Sequence, residues 1–315
     1  MRTQPRVTAL GGGHGLAASL SALRHLTTRL TAIVTVADDG GSSGRLRREF
    51  DVLPPGDLRM ALAALCGDDD IERLWADVLQ SRFPGEGPLG GHSIGNLLIA
   101  GLWQTLPLPV DGLDMVAALL QVKGRVLPMS TVPLVIEADM VGTDALSPDE
   151  LTHVVGQEAV ALAKGEIVDV RLTPAEPPAA PEAVEAIRQA EYVVLGPGSW
   201  FSSVLPHLLV PELCQAIVDT SAKRILTMNL MPSQDETYGY TPSRHLEVLA
   251  AHAPTLRLDT VIADPSFAAG DRHLAGYAAS LGAELIIEDV RMRDGSARHD
   301  PYRLASIFAQ IMGLT

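Results

Sequence analysis

Two short apolar runs that stop abruptly at glycines constrain this chain most. Val7-Thr-Ala-Leu10 runs into Gly11-Gly-Gly-His-Gly15, and Ala32-Ile-Val-Thr-Val-Ala37 runs into Asp38-Asp-Gly-Gly-Ser-Ser-Gly44. Continuous aliphatic, β-branched runs of this length read as parallel strands buried on both faces. Beyond the first run, Leu16, Leu20, Leu23 and Leu26 recur at helical spacing, which predicts a helix over Leu16–Thr27. Gly11, Gly12, Gly13, His14 and Gly15 then form a strand-to-helix turn, whose backbone N–H groups and positive helix end suit a phosphate. In the second junction, the carboxylates of Asp38 and Asp39 precede Gly40, Gly41 and the hydroxyls of Ser42 and Ser43. That set suits a ribose, a sugar or a hydrated magnesium ion. The order Gly-Gly-Gly-His-Gly matches neither the spaced glycines of a dinucleotide fingerprint nor a Walker loop.

A chain of 315 residues has room for one large α/β domain or two modest ones. Hydrophobic residues make up 47% and aromatic ones only 4%, so the core is built from Ala, Val, Leu and Ile. The formal net charge of −14 argues against DNA, RNA or an anionic membrane as main partner, because each needs a basic face. It leaves room for a phosphorylated metabolite held by a local loop. Cys66 and Cys214 read as two separate buried thiols in a reducing compartment. No signal peptide is visible at the start, and no apolar run reaches the roughly 18–20 residues that span a bilayer. A soluble cytoplasmic protein is expected.

Further along, a turn at Pro54-Pro-Gly-Asp57 leads to a helix capped by Asp57 and running to Cys66. Asp68–Asp70 reads as the solvated cap of a helix over Ile71–Phe83 rather than a metal site. Helices are expected over Leu97–Leu106 and Asp111–Lys123, and a strand near an edge over Val132–Val141, bounded by Pro133. Ser147-Pro-Asp-Glu150 resembles a helix start, whereas Leu151–Lys164 has no clear assignment. Ile167–Leu172 alternates like a half-exposed strand. After a proline-rich connection come a helix over Pro181–Ala190 and a buried strand, Tyr192–Leu195, that again ends in glycines, Gly196-Pro-Gly-Ser199. Strands at Arg224–Asn229, Asp259–Ala263 and Glu284–Val290 alternate with helices at Ser243–Ala253, Arg272–Leu281 and Pro301–Met312. This alternation predicts a single α/β domain over 1–315 with a doubly wound, mainly parallel, Rossmann-like sheet. A helix-rich cap or insertion is expected over about 51–185.

In such a sheet ligands bind outside the carboxyl ends of the strands. Four polar segments lie there: Gly11–Gly15, Asp38–Ser43, Gly196–Ser199 and Asn229–Tyr240. From the expected insertion, Asp57 and Arg59 stand at one helix start, where the guanidinium suits a phosphate as a fork. His92, Ser93 and Asn96 stand at another, and His92 is a candidate acid, base or phosphate contact. Ser199 is a candidate phosphate ligand through its hydroxyl and the helix expected after Gly198. Gly196, Pro197, Gly198, Asn229 and Arg298 complete the binding set. Catalytic candidates are limited to Asp38, Asp39 and His92. No serine sits in a nucleophile elbow, and no His/Cys spacing matches a zinc site.

The string of motifs resembles the YvcK family, the gluconeogenesis factors. It comprises Gly11-Gly-Gly-His-Gly-Leu16, Val36-Ala-Asp-Asp-Gly-Gly-Ser-Ser-Gly-Arg-Leu-Arg47, Gly56-Asp-Leu-Arg59, Gly91-His-Ser-Ile-Gly-Asn-Leu97, Leu127-Pro-Met-Ser-Thr131, Gly196-Pro-Gly-Ser199 and Arg298-His-Asp-Pro301. They occur in order and cover nearly the whole chain. Two positions depart from the pattern. His14 stands where the family carries threonine, and the loop Asn229–Tyr240 keeps Asn229, Glu236, Thr237, Gly239 and Tyr240 but changes the middle.

The resemblance implies the fold of CofD, the 2-phospho-L-lactate transferase. It also implies a regulator that binds UDP-sugars such as UDP-N-acetylglucosamine and is linked to cell shape and cell-wall synthesis on gluconeogenic carbon. The ligand would be a nucleotide-sugar or a nucleotide diphosphate, with Gly11–Gly15 and Gly196–Ser199 on the diphosphate. A homodimer is a family-level expectation. The alternative is a CofD-like transfer of a phospholactyl group to a deazaflavin alcohol, with magnesium held by Asp38 or Asp39 and the phosphate steadied by His92 or Arg59. A nicotinamide oxidoreductase is the weaker third reading, since the chain lacks a GxGxxG loop.

Overall fold

Every residue of Val7–Gly11 is buried, as a strand covered on both faces requires, and this strand (β1) lies inside the main sheet. A computed structural model describes residues 4–144, 147, 149–232 and 236–314. The other strands are β2 Leu30–Val34, β3 Arg125–Pro128, β4 Val135–Val141, β5 Thr152–Val155, β6 Glu166–Thr173, β7 Tyr192–Leu195, β8 Lys223–Thr227, β9 Thr260–Ala263 and β10 Glu284–Ile287. The helices are α1 Gly13–Leu23, α2 Gly41–Phe50, α3 Pro55–Leu65, α4 Asp70–Gln80, α5 Ile94–Trp103, α6 Pro109–Leu119, α7 Gln157–Leu162 and α8 Pro181–Gln189. A π-helical turn at Trp200–Val204 precedes α9 Pro206–Leu209, α10 Pro211–Asp219, α11 Pro242–His252, α12 Pro265–Ala268, α13 Leu274–Ser280 and α14 Pro301–Ile311.

Seven parallel strands form the main sheet in the order β10-β9-β8-β7-β1-β2-β3. From β1 the chain winds outward through β2 and β3, then returns to β7 on the other side and winds away to β10. The switch in winding falls between β1 and β7, where an open sheet leaves a crevice at its carboxyl ends. Helices flank the sheet: α1 packs on α3 and α14, and α8 packs on α10. The doubly wound α/β fold read from the alternating pattern is the fold observed. No helix among the described residues is long and apolar enough to cross a membrane.

The corrections lie at element ends and in the middle of the chain. The first helix begins at Gly13 and ends at Leu23, three residues earlier and four residues shorter at its end than its leucine spacing suggests. Its first turn therefore is the glycine loop. Residues 41–43, expected in a loop, open α2, whose only fully apolar buried anchor is Leu46. Two glycines and few apolar residues hid this helix from periodicity; Arg47 holds it by donating to the Leu134 carbonyl at 2.7 Å. Asp57 is inside the first turn of α3, not its cap, because Pro54 takes the cap position. The expected cap at 68–70 is present as a capping box between Asp69 and Glu72.

β4 is not an edge strand. It is central in a separate antiparallel sheet of order β5-β4-β6. Pro133 lies before its first residue, so the missing proline N–H removes no ladder bond. Its alternating burial puts Ile136, Ala138 and Met140 inward. Within the span expected as an insertion, β3 returns to the main sheet beside β2. The expected helix start at 147–150 lies partly outside the described residues, and the unassigned stretch after it forms β5 and α7.

Candidate functional site

The glycine loop after β1 and the one after β7 touch. A β-carbon on Gly15 would lie 2.2 Å from the Pro197 carbonyl oxygen and 2.6 Å from the Gly198 α-carbon, so only glycine permits this approach. One turn further along α1, the buried Ser19 hydroxyl donates to the Gly196 carbonyl at 2.8 Å. Gly196 itself takes φ +69°, the left-handed region that favours glycine. Asn229, just past β8, clamps the second loop with both ends of its amide: Gly198 N–H donates to Oδ1 at 3.0 Å, and Nδ2 donates to the Gly198 carbonyl at 2.9 Å. Gly11–Gly15, Gly196–Ser199 and Asn229 are therefore brought together as expected, with Asn229 acting as a brace for the loop.

These segments wall a cleft of about 710 Å³. His14, Gly15, Ala17 and Ala18 form one side, and Pro197, Gly198 and Ser199 form the floor. Asn229–Pro232, Glu236 and Ala297–His299 also line it, and α7 contributes Gln157, Ala161 and Leu162. The first intrahelical bond of α1 runs from Leu16 N–H to the Gly12 carbonyl at 3.2 Å. The N–H groups of Gly13, His14 and Gly15 thus have no acceptor within the helix, and the dipole of α1 adds positive potential there. His14 is exposed on the cleft wall. Arg298 enters from the C-terminal side, paired with Asp294 at 2.7 Å. Next to it, the His299 ring donates from Nε2 to the Met228 carbonyl at 3.1 Å, and burial pushes its pKa down to about 4, so it is neutral at physiological pH.

Ser199 is occupied differently from the sequence expectation. Its hydroxyl meets the Glu236 carboxylate at 2.8 and 2.7 Å, and the Trp200 N–H donates to the same carboxylate at 2.7 Å. The helical turn after Gly198 is thus already served by an internal carboxyl group. Residues 233–235, the changed middle of this loop, lie outside the described residues.

Asp38 and Asp57 meet on the other side of the first loop. The Gly13 N–H donates to Asp57, while burial and the neighbouring Asp38 charge push the Asp57 carboxyl up to about 7. Burial raises Asp38 as well, opposed by hydrogen bonds from the Gly40 N–H, at 3.0 Å, and from Ser43. Ser43 in turn accepts from the Gly56 N–H at 2.9 Å, which ties the start of α2 to the start of α3. The unpartnered hydroxyl of Thr35 is buried close by: its methyl would lie 2.5 Å from a β-carbon on Gly12, as would an Asp57 oxygen. Asp39 turns away. It accepts the Glu158 N–H at 3.1 Å and so serves the N-terminus of α7.

The remaining candidates form a buried polar knot between α2 and α5, and none of them lines the cleft. Asn96 Nδ2 donates to the Ser42 oxygen at 3.0 Å, and Ser42 meets His92 Nδ1 at 2.9 Å. Burial lowers the His92 pKa, with the Arg45 and Arg82 charges adding to it, which favours the neutral ring. Ser93 is fully buried. Arg59 is buried too and donates to Gln80; burial lowers it only to about 10, leaving it charged. These residues join helices, where a phosphate contact was expected. Among the described residues no group of three or more His, Cys, Asp or Glu side chains is arranged to hold a metal ion.

A family model described as 2-phospho-L-lactate transferase CofD matches residues 7–296. The chain belongs to the CofD family. Within this family it is 53% identical over 304 residues to the "Putative gluconeogenesis factor" of Mycobacterium tuberculosis, covering 96% of this chain and 88% of that protein. It is 33% identical over 326 residues to the gluconeogenesis factor of Bacillus subtilis, covering 99% of both. A crystal structure of an upf0052 family member from Bacillus halodurans superposes with a TM-score of 0.85 at 34% identity, over 96% of this chain and 98% of that one. The resemblance to the YvcK gluconeogenesis factors is thereby established, and the CofD fold with it.

Set against the CofD-family motifs, sequence reasoning overlooked two kinds of cleft residue. Glu236 and His299 were visible inside motifs but carried no spacing that marked them as wall residues. Gln157, Ala161 and Leu162 belong to a short helix with no glycine or charge signal, and only tertiary packing brings it to the switch point.

Proposed function

We propose that this member of the CofD family is a regulatory protein that binds a nucleotide-linked sugar, with a UDP-sugar such as UDP-N-acetylglucosamine in the cleft between β1 and β7. One observation carries the reading: two glycine loops from distant parts of the chain meet at the winding switch point beside a 710 Å³ cleft. That volume falls in the range of small-molecule sites. The exposed N–H groups of His14 and Gly15, the imidazole of His14 and the guanidinium of Arg298 supply donors for a diphosphate in a chain of net charge −14. The names of the relatives support a role in gluconeogenic growth for this chain. Titration of the purified protein with UDP-N-acetylglucosamine by calorimetry tests the proposal. Saturable heat that weakens about tenfold or more in Arg298→Ala is expected, in line with loss of a charged hydrogen bond. No heat and no thermal shift at millimolar ligand would dismiss it.

A second reading, a CofD-like transferase, rests on Asp38 and Asp57. Two buried carboxylates, both raised chiefly by burial and Asp57 further raised by the Asp38 charge, fit a divalent cation, which would offset their burial. Magnesium held there would neutralise charge on a transferring phosphoryl group. Meanwhile α1 would orient the diphosphate through the His14 and Gly15 N–H groups. Incubation with a deazaflavin acceptor and a nucleotide-linked phospholactate decides this reading by whether the acceptor gains mass.

A further inference from the structure

The hairpin that leads into α14 is stitched to the segment after β8. Within it, Met292 N–H donates to the Arg298 carbonyl at 2.9 Å, and Asp300 N–H donates to the Val290 carbonyl at 2.8 Å. Between these two bonds, Arg291 and His299 pair as an antiparallel β-bridge. Both of their side chains reach across to the neighbouring segment. Arg291 donates to the Leu230 carbonyl at 3.0 Å, and His299 donates from Nε2 to the Met228 carbonyl at 3.1 Å. The half-buried imidazole is thus fixed through its backbone and through its ring, and it lines the cleft.

The bond to Met228 also fixes the tautomer. A carbonyl oxygen only accepts, so Nε2 carries the hydrogen. Burial keeps the ring neutral at physiological pH, with its pKa pushed down to about 4, which leaves a bare lone pair on Nδ1. Among the described residues Nδ1 has no hydrogen-bond partner, yet it is not sealed in the interior. The open space that His299 borders is the cleft. Other polar groups of the wall do not offer this. Asn229 spends both ends of its amide on Gly198, and the Arg298 guanidinium only donates. An uncharged ring nitrogen also stands beside a phosphate without the repulsion that a carboxylate brings.

We infer that His299 is a specificity residue whose Nδ1 accepts a hydrogen bond from an uncharged N–H or O–H of the ligand, outside its phosphates. Because the hairpin and Met228 hold the ring in place, the donor meets a preorganised acceptor and little freedom is lost on binding. The assignment rests on the nucleotide-sugar reading of the cleft and adds a group that this wall recognises. In such a ligand the donor comes from the base, the ribose or the sugar, and the test separates these sources.

Calorimetry on the wild-type protein and on His299→Gln tests this with four ligands: UDP-N-acetylglucosamine, UDP, a UDP lacking both ribose hydroxyls, and a UDP methylated at the base N–H. Glutamine can still donate its amide to the Met228 carbonyl but places no ring nitrogen where Nδ1 was. UDP-N-acetylglucosamine is expected to bind the variant roughly three- to tenfold more weakly than the wild type, the range for one neutral hydrogen bond. The ligand that lacks the recognised donor should show a ratio near one: UDP for a sugar donor, the dideoxy form for a ribose donor, the methylated form for a base donor. An equal loss for all four ligands would make His299 a support of the wall and overturn the inference, and no loss for any of them would overturn it too. If His299→Gln does not fold, NMR of wild-type protein with isotope-labelled histidine decides instead. The Nδ1 resonance of His299 should lie in the unprotonated range and move on saturation with UDP-N-acetylglucosamine; a resonance that stays put overturns the inference. Failure of the wild type to bind any of the four would overturn the reading of the cleft itself, an outcome distinct from the others, in which the wild type binds.

Discussion

Gly15 and Asp57 show how single residues at the glycine loop trade stability for a site. At Gly15 a methyl group has nowhere to go, since the Pro197 carbonyl and the Gly198 α-carbon are backbone and cannot rotate away. Gly15→Ala is expected to push the two loops apart, cost about 1–3 kcal/mol as overpacking, and abolish the proposed nucleotide binding. Thermal melts and calorimetry on the same sample check both effects. Asp57 works in the opposite sense. Its folded carboxyl titrates at about 7, against about 3.9 in an unfolded chain, so between those values the folded state holds a proton that the unfolded state has lost. Its contribution is favourable below pH 4 and is lost as the pH rises through 7. Asp57→Asn should therefore raise the melting temperature at pH 8, by roughly 2–4 °C per kcal/mol released, and leave it unchanged near pH 4. A melting temperature at pH 8 equal to or below wild type would contradict the buried, charge-crowded environment described for this carboxyl.

Among the elements, α7 depends on the main sheet more than its length suggests. It has six residues, too few to be stable alone, and it lines part of the cleft. Asp39, at the end of the segment after β2, holds its N-terminus through the Glu158 N–H. Asp39→Ala is expected to cost about 1 kcal/mol, the usual value of a helix cap, and to speed amide exchange within 157–162 while the exchange of β1 is unchanged. A uniform change across the chain would show that the contact is not local. This element also marks how far the sequence could be read. β1, α1, β7 and the C-terminal alternation of strands and helices were legible because buried parallel strands and amphipathic helices leave periodic marks. The two glycine loops were legible because close backbone approach admits no other residue. α2 and α7 were not, since neither has a clean apolar stripe and both are held by distant partners, Leu134 for α2 and Asp39 for α7. In the same way, Arg59, His92, Ser93 and Asn96 look like ligand contacts in one dimension. Only three-dimensional packing turns them inward as a knot between helices.

At the scale of the whole molecule, two buried histidines and a half-buried one set the acid limit. His207 donates from Nε2 to the Ile33 carbonyl of β2, and burial pushes it down to about 4, as it does His299. His245 is lowered in the same direction, boxed in by the rings of Trp200, Tyr240 and Phe267. An unfolded chain protonates these rings near pH 6.5, whereas the fold refuses the proton until about pH 4 for His207 and His299. Stability should therefore decline as the pH falls from 6.5 toward 4, and His207→Gln should flatten that decline in urea titrations made across the range. An equally steep decline in the variant would assign the acid sensitivity to other groups.

The cleft draws one wall from residues 14–18 and another from 297–299, and α14 leans on α1 beneath them. A growing polypeptide paused on the ribosome before Arg298 therefore lacks the last-made of the cleft's walls. On the proposed reading, capture of a ligand therefore waits until residues 297–299 have been made and α14 has settled against α1.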